Sequence, residues 1–318
     1  MLEQGNTEFQ ALEPFLDLLR CPVSGSALTI ADGGLRSASN DHYALWENTI
    51  PLFAKEYCSA EGRLQQSHYD HIAAAYSANL GYPHTIEYMA YLDRVLDEAL
   101  ETEKLGVCAE ICCGCGEAMT LYGDRMERGI GVDISLEMLK RAKDRHRSPN
   151  LQFAQGDATM LPLASQAFDH VFMLGGVHHV NDRTKLFSEV ARILKPGGKF
   201  VYREPVSDFW LWRSLRNIIY KIAPALDHET ERPLRYPETV PILSAVGLTT
   251  ELWKTYGFLG FCIFMNSDVL VFNRLFRFVP GIRTIVRNAT RMDEFMLSLP
   301  GFAGCGLQVV GRAVKTEA

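Results

Sequence analysis

The run Glu110-Ile111-Cys112-Cys113-Gly114-Cys115-Gly116 decides the fold. It closes an apolar stretch that starts at Val107 and leads into a helix-compatible segment. Gly114 and Gly116 remove side chains where a backbone must approach a ligand. A loop that leaves the carboxyl end of a strand and enters a helix is where open α/β sheets bind nucleotides. One glycine pair says little alone; its neighbours carry the weight. Asp133 ends the next apolar run, where a carboxylate can accept hydrogen bonds from both ribose hydroxyls. Gly156-Asp157-Ala158 follows a third run, and an acid there can accept from an adenine amino group. Met160-Leu161-Pro162 comes next, and Phe168-Asp169 opens a fourth run. Each acid also has a plainer reading: Asp133 as a helix cap before Ser135, and Asp157 as a turn residue. The clustered Cys112, Cys113 and Cys115 read as small packing residues rather than as a metal or redox site.

Outward from this loop the chain alternates between two periodicities. Val107–Cys112, Gly129–Asp133, Leu151–Ala154, His170–Gly175 and Lys199–Glu204 read as strands. Ser135–Arg145 and Thr184–Leu194 read as helices between them, and Lys195-Pro196-Gly197-Gly198 is a helix stop and turn. Such alternation predicts a parallel sheet with helices on both faces. With these motifs in this order, residues 68–204 and the last strand near Gly306–Lys315 resemble the class I S-adenosylmethionine-dependent methyltransferases. The nearest group is that of quinone-biosynthesis and small-molecule methyltransferases. The resemblance implies a seven-stranded Rossmann-like sheet and S-adenosylmethionine as cofactor. It implies that Glu110 orients the glycine loop and the methionine amino group, that Asp133 holds the ribose, and that Asp157 and Ala158 frame the adenine. It also implies cofactor contacts at Cys112, Gly114, Gly116, Ile134 and Leu174. Cys112 departs from the family's usual Gly or Ala at that position.

Composition narrows the rest. The chain has 318 residues, 47% hydrophobic and 22% charged, with a net charge of −6. That is ordinary globular composition, and it disfavours bulk nucleic-acid binding. No apolar run approaches a membrane span; Phe258–Met265 stops at Asn266. The N-terminal ten residues lack the basic and apolar regions of a signal peptide, and eight cysteines in so long a chain are no disulfide framework. The expected compartment is the cytoplasm, with peripheral membrane contact as an open alternative.

Four segments follow. Residues 1–58 form a small module with a short helix at Leu12–Arg20 and extended pieces at Leu28–Ala31, Leu35–Ser37 and His42–Leu45. Cys21-Pro22-Val23-Ser24, Tyr43 and Ile50-Pro51-Leu52 resemble a zinc-ribbon-like module fused ahead of methyltransferases. Ser24 stands where a second ligand would be, so no metal is expected. Residues 59–104 form a helical lid, with Met89, Leu92, Leu96 and Leu100 at helical spacing. Residues 105–206 are the cofactor-binding core, and 207–318 hold cap segments plus the last strands.

Three groups are candidates for chemistry. Gly175-Gly176-Val177-His178-His179 follows the fourth strand at the cleft mouth, and a histidine there can take a proton from a hydroxyl or carbon acid. Glu204 ends the fifth strand as a base or substrate ligand. Tyr69 and Tyr76 lie on a stretch resembling the family's lid helix, whose tyrosines contact cofactor or substrate; plain aromatic packing stands beside that reading. Methyl transfer also proceeds by placement alone, because the sulfonium is an activated leaving group. Asp208–Pro224 and Gly257–Gly304 are aromatic and rich in arginine. They read as a roof over an apolar acceptor, through Trp210, Trp212, Phe261 and Phe264, as a surface resting on an anionic membrane, or as a cap buried on the sheet. The expected activity is methyl transfer to an O, C or N atom of an apolar small molecule: a quinone, polyketide, isoprenoid or lipid. The alternatives are a non-methylating reaction such as cyclisation on the same fold, or a non-catalytic partner subunit.

Overall fold

Asp32, Gly33 and Asn40 adopt positive φ, as tight reversals require. They separate β1 (Leu28–Ala31), β2 (Gly34–Ser37) and β3 (His42–Trp46), which with β4 (Ile50–Pro51) form an antiparallel sheet in sequential order. The computed structural model describes residues 9–55, 58–214, 232–265 and 271–317. The side chains of Tyr76 and Phe272, and the stretch 215–224, lie outside the described residues. The helix expected at Leu12–Arg20 is only a 3-10 turn at Glu13–Phe15. Leu19 and Arg20 must be extended to bridge Leu163 and Ala27, which leaves no length for an α-helix.

Two helices follow. Ser59 accepts a hydrogen bond from the Gly62 amide and caps α1 (Ala60–Leu80). Pro83, tolerated in a first turn, opens α2 (Pro83–Glu98). The large sheet then builds from β5 (Gly106–Ile111), β6 (Met126–Asp133), β7 (Leu151–Gln155), β8 (Phe168–Leu174), β9 (Leu194–Pro205), β10 (Leu248–Tyr256) and β11 (Gln308–Lys315). Its order is β10-β11-β9-β8-β5-β6-β7. Strands β5 to β9 are mutually parallel, and β11 runs antiparallel to both neighbours. Short α3 (Glu117–Tyr122), α4 (Leu136–Arg145), α5 (Arg183–Ile193) and α6 (Tyr236–Ala245) connect them, followed by α7 (Leu259–Phe264) and α8 (Ile282–Ser298). Lys195–Gly198 loop out between Phe168 paired with Leu194 and His170 paired with Lys199.

Strands covered on both faces carry apolar runs, as Val107–Ala109 of β5 and Val171–Leu174 of β8 do here. One face packs Phe168, Phe187 and Phe200 together with Leu12, Phe15 and Leu19, so the N-terminal segment shares the sheet's core. The other packs Tyr88, Leu92 and Leu96 of α2 against Cys108, Phe172 and Val201. Strand order reverses between β5 and β8, and the chain leaves both at their carboxyl ends there. That is the geometric condition for a ligand crevice.

Candidate active site

A cavity of about 430 Å³ opens at the carboxyl ends of β5, β6 and β8. Its floor is Cys112 to Cys115, Asp133, Ile134, Asp157, Ala158, Leu174 and Gly176. Its roof is α1 and α2, through Gly62, Gln65, Tyr69, Leu80, Ile86, Met89, Ala90 and Asp93. His179 and Val180 close one side.

The loop after β5 is set by three left-handed residues in close succession: Cys112 (φ 52), Gly114 (φ 51) and Gly116 (φ 77). Gly114 faces open space, so backbone is bared to the cavity. A Cβ on Gly116 would lie 2.8 Å from His146 Nε2. Cys112 occupies a conformation that glycine adopts without strain, which explains why a small residue is wanted there. Burial pushes the thiols of Cys112 and Cys113 up, so they stay protonated. Among the described residues the eight cysteines form no disulfide with one another.

The three acids differ in what they have left to give. Asp133 accepts from Gly114 N at 2.7 Å and Ser135 N at 2.9 Å, one bond on each oxygen. A carboxylate has about four acceptor positions, so two remain, enough for a ribose diol. Burial pushes its pKa up to about 6. Asp157 is fully engaged. Ser59 N and Oγ donate to one oxygen, and Thr159 N and Oγ to the other, all within 2.9 Å. Burial opposes its charge, yet those bonds hold it below the usual carboxylate range. An adenine amino group can reach it only by displacing Ser59. Glu110 is 1% exposed and does not line the cavity. It accepts from Ala118 N at 2.8 Å and Met119 N at 3.2 Å, and so holds the start of α3 and the glycine loop above it. Desolvation raises it to about 8. A contact between Glu110 and a methionine amino group is therefore not supported. Gly116 likewise acts through backbone shape, outside the lining.

Of the three proton-transfer candidates, only His179 faces the cavity. Its Nε2 lies 2.6 Å from Tyr69 Oη, while Nδ1 is buried without a partner. That arrangement fits a neutral ring protonated on Nδ1, with Tyr69 donating to Nε2. Burial drives its pKa well below the ordinary value. Glu204 is fully buried and does not face the cleft as expected. Its carboxylate accepts from Gly176 N, Val177 N, His178 N and His178 Nδ1. Every acceptor position is occupied in shaping the turn that carries the histidines. His178 is its partner and lies outside the cavity lining; the two imidazole centroids are 3.8 Å apart.

The acceptor roof is a second correction. None of Trp210, Trp212, Phe261 and Phe264 lines the cavity. Phe261 packs on Tyr88, Phe264 on Phe276, and Trp212 on Phe258 with its Nε1 donating to Cys305 O at 3.1 Å. Trp210 points to solvent. These aromatics had unmet packing needs of their own against α2 and α8, which composition does not reveal. Conversely, sequence reading missed Ser59, Glu61, Gln65 and Asp70 on the lid. Glu61 accepts from Asn181 N at 2.9 Å, and Asp70 accepts from Ser135 Oγ and Glu137 N. The usable signal was the Ser59 helix cap directly before a histidine- and tyrosine-bearing helix. Also missed was a buried ion cluster: Arg203 pairs with Asp93 at 2.9 Å and with Glu117, and both acids line the cavity.

At the N-terminal module, Cys21 Sγ lies 3.1 Å from Tyr43 Oη and receives the Ser24 amide. Among the described residues no group of three or more His, Cys, Asp or Glu is placed to hold a metal.

Residues 109–202 match the family described as "Methyltransferase domain". A demethylmenaquinone methyltransferase from Renibacterium salmoninarum is 39% identical over 95 residues, 30% of this chain and 39% of that protein. A phthiotriol/phenolphthiotriol dimycocerosates methyltransferase from Mycobacterium tuberculosis is 31% identical over 109 residues, 33% and 40% of the two chains. The chain thus spans less than half the length of these curated relatives. Among solved structures, the [4+2]-cyclase SpnF aligns with a TM-score of 0.56 at 17% identity, over 81% of this chain and 97% of that one. Phosphoethanolamine N-methyltransferase 2 of Haemonchus contortus, in complex with S-adenosyl-L-methionine, aligns with a TM-score of 0.52 at 20% identity, over 84% and 62%. At such identities the structural likeness speaks for the fold. The central segment, residues 109–202, is thus similar to methyltransferase domains, and the seven-stranded sheet around it has the fold of the aligned structures.

Proposed function

We propose that this protein transfers a methyl group from S-adenosylmethionine to an apolar small molecule held under the lid. One observation carries the reading: Asp133 keeps two acceptor positions at the edge of a largely apolar, lid-covered cavity beside a bare glycine loop. Asp133 would hold the ribose, Ile134, Ala158 and Leu174 would sandwich the base, and the Cys112–Cys115 backbone would support the methionine portion. The cofactor supplies an activated methyl group on a sulfonium.

The rest falls to this chain's residues. Leu80, Ile86, Met89 and Val180 exclude water and favour an apolar acceptor. Tyr69 and His179 form a proton-accepting pair. The tyrosine oxygen takes the acceptor's proton while passing its own to His179 Nε2, a ring that burial keeps neutral beforehand and makes a weaker base. Relatives named for demethylmenaquinone and for phthiotriol dimycocerosates support a quinone-like or lipid-like acceptor.

Calorimetry with S-adenosylmethionine tests the first half, and methyl-labelled cofactor with a demethylmenaquinone analogue tests the second. Saturable binding and label in the product are expected. Turnover of acceptor without label would move the protein to non-methylating chemistry, and no binding would remove the reading.

A further inference from the structure

The outer face of the cap lies away from the cleft. In α8 the residues Ile282, Val286, Thr290, Asp293 and Leu297 are buried. On the opposite face, Ile285, Met292 and Phe295 recur at the spacing of one helical stripe and point to solvent. Met292 is 60% and Phe295 62% exposed. The orientation is held by two cross-helix ion pairs, Arg287 with Glu87 and Arg94 with Glu294. The preceding turn adds Leu275 and Phe278, 63% and 68% exposed. Leu259 and Ile263 of α7, which packs beside α8, are also exposed. An outward stripe of this size exceeds the isolated apolar residues common on soluble surfaces.

Charge says what covers it. The chain carries a net −6, yet residues 271–298 hold Arg274, Arg277, Arg283, Arg287 and Arg291 against Asp293 and Glu294. Asp293 is buried and bonded to Tyr88, Glu294 is paired with Arg94 and Arg287 with Glu87, so the cations that count are the exposed Arg277, Arg283 and Arg291. Arg283 and Arg291 are exposed, and the Arg277 guanidinium lies 4.7 Å from the Phe278 ring centroid at the tip. Two copies pressed stripe to stripe would set these guanidiniums against one another. No described helix is long and apolar enough to cross a membrane. An amphipathic helix with an apolar stripe and a basic border instead lies in the headgroup plane of an anionic bilayer.

We propose that α8, with Leu275 and Phe278 before it, docks this protein on an anionic lipid surface. The test is flotation with vesicles of phosphatidylcholine and phosphatidylglycerol against phosphatidylcholine alone. Wild-type protein should float with the anionic vesicles, and less as salt rises. Phe278→Glu with Phe295→Glu should abolish flotation, and Arg283→Gln with Arg291→Gln should weaken it about fivefold per arginine. All four positions face solvent, so melting temperature and cofactor affinity should hold in both variants. Vesicle binding needs neither cofactor nor acceptor, so its failure is separate from a failure of the methyl-transfer reading. No flotation at low salt, or flotation unchanged in both variants, overturns the proposal. A dimer broken by Phe295→Glu, without vesicle binding, assigns the face to a second copy instead.

Discussion

The lid (α1 and α2) and the cap (α7 and α8) are both helical, both outside the sheet, and both rich in aromatic residues. They do opposite things with them. The lid turns side chains down onto the cleft and is pinned there by polar bonds at widely spaced points: Ser59 to Asp157, Tyr69 to His179, and Asp70 to Ser135. The cap uses Phe261 and Phe264 in its own packing and leaves Phe295 outward. Asp293 draws Tyr88, Phe258 N and Gly260 N together, and Phe261 and Phe264 fill the space around them. Apolar content marks what a segment must bury; the polar pins mark what it covers.

That contrast predicts graded effects. Phe264→Ala in the cap should cost about 3–5 kcal/mol of stability, read by denaturant unfolding, with cofactor affinity of the folded protein unchanged. A loss of affinity alone would put the cap in the site. Asp133→Ala should weaken S-adenosylmethionine binding at least tenfold, since charge-accepting hydrogen bonds are worth about 1.5–3 kcal/mol each. The fold should survive, and unchanged calorimetric affinity would remove the ribose assignment. Ser59→Ala removes a helix cap and one anchor of Asp157, for about 1 kcal/mol. It should loosen the lid, seen as faster amide exchange in α1, and leave the cap's exchange untouched.

The smallest effect is on pH. Glu110 and Glu204 are raised to about 8 and about 7 by burial. Between their unfolded values near 4.5 and those figures, the folded state binds more protons than the unfolded one. These two acids therefore contribute a fall in stability as pH rises from about 5 to 8, while the depressed histidines His84, His146, His170 and His179 contribute a rise below about 6.5. Glu204 is isolated by comparison: the melting-temperature difference between wild type and Glu204→Gln should shrink as pH rises from about 5 to 7. A difference that grows through the same window would contradict the assignment.

Much of the fold was legible because parallel strands leave strong signatures. The runs ending at Cys112, Asp133 and Gly175 became β5, β6 and β8 with ends shifted by only a few residues. Asp133 was legible as the candidate ribose acid because its place follows from a strand end. Glu204 was misplaced for the same reason: a strand end looks open in sequence, and only the four donors around it show that it is enclosed. Ser59 and Asp157 meet across 98 residues, and no local pattern reports such a contact. Leu12–Arg20 failed as a helix because Leu19 pairs with Leu163, again a distant partner.

Amide hydrogen exchange with and without S-adenosylmethionine puts both halves of the comparison in one measurement. Binding should slow exchange in 110–117, 133–136 and along α1, where the loop, the ribose acid and the lid close on the ligand. Exchange in α7 and α8 should not change. Protection confined to the cap, with none at the glycine loop or the lid, would contradict the site described here.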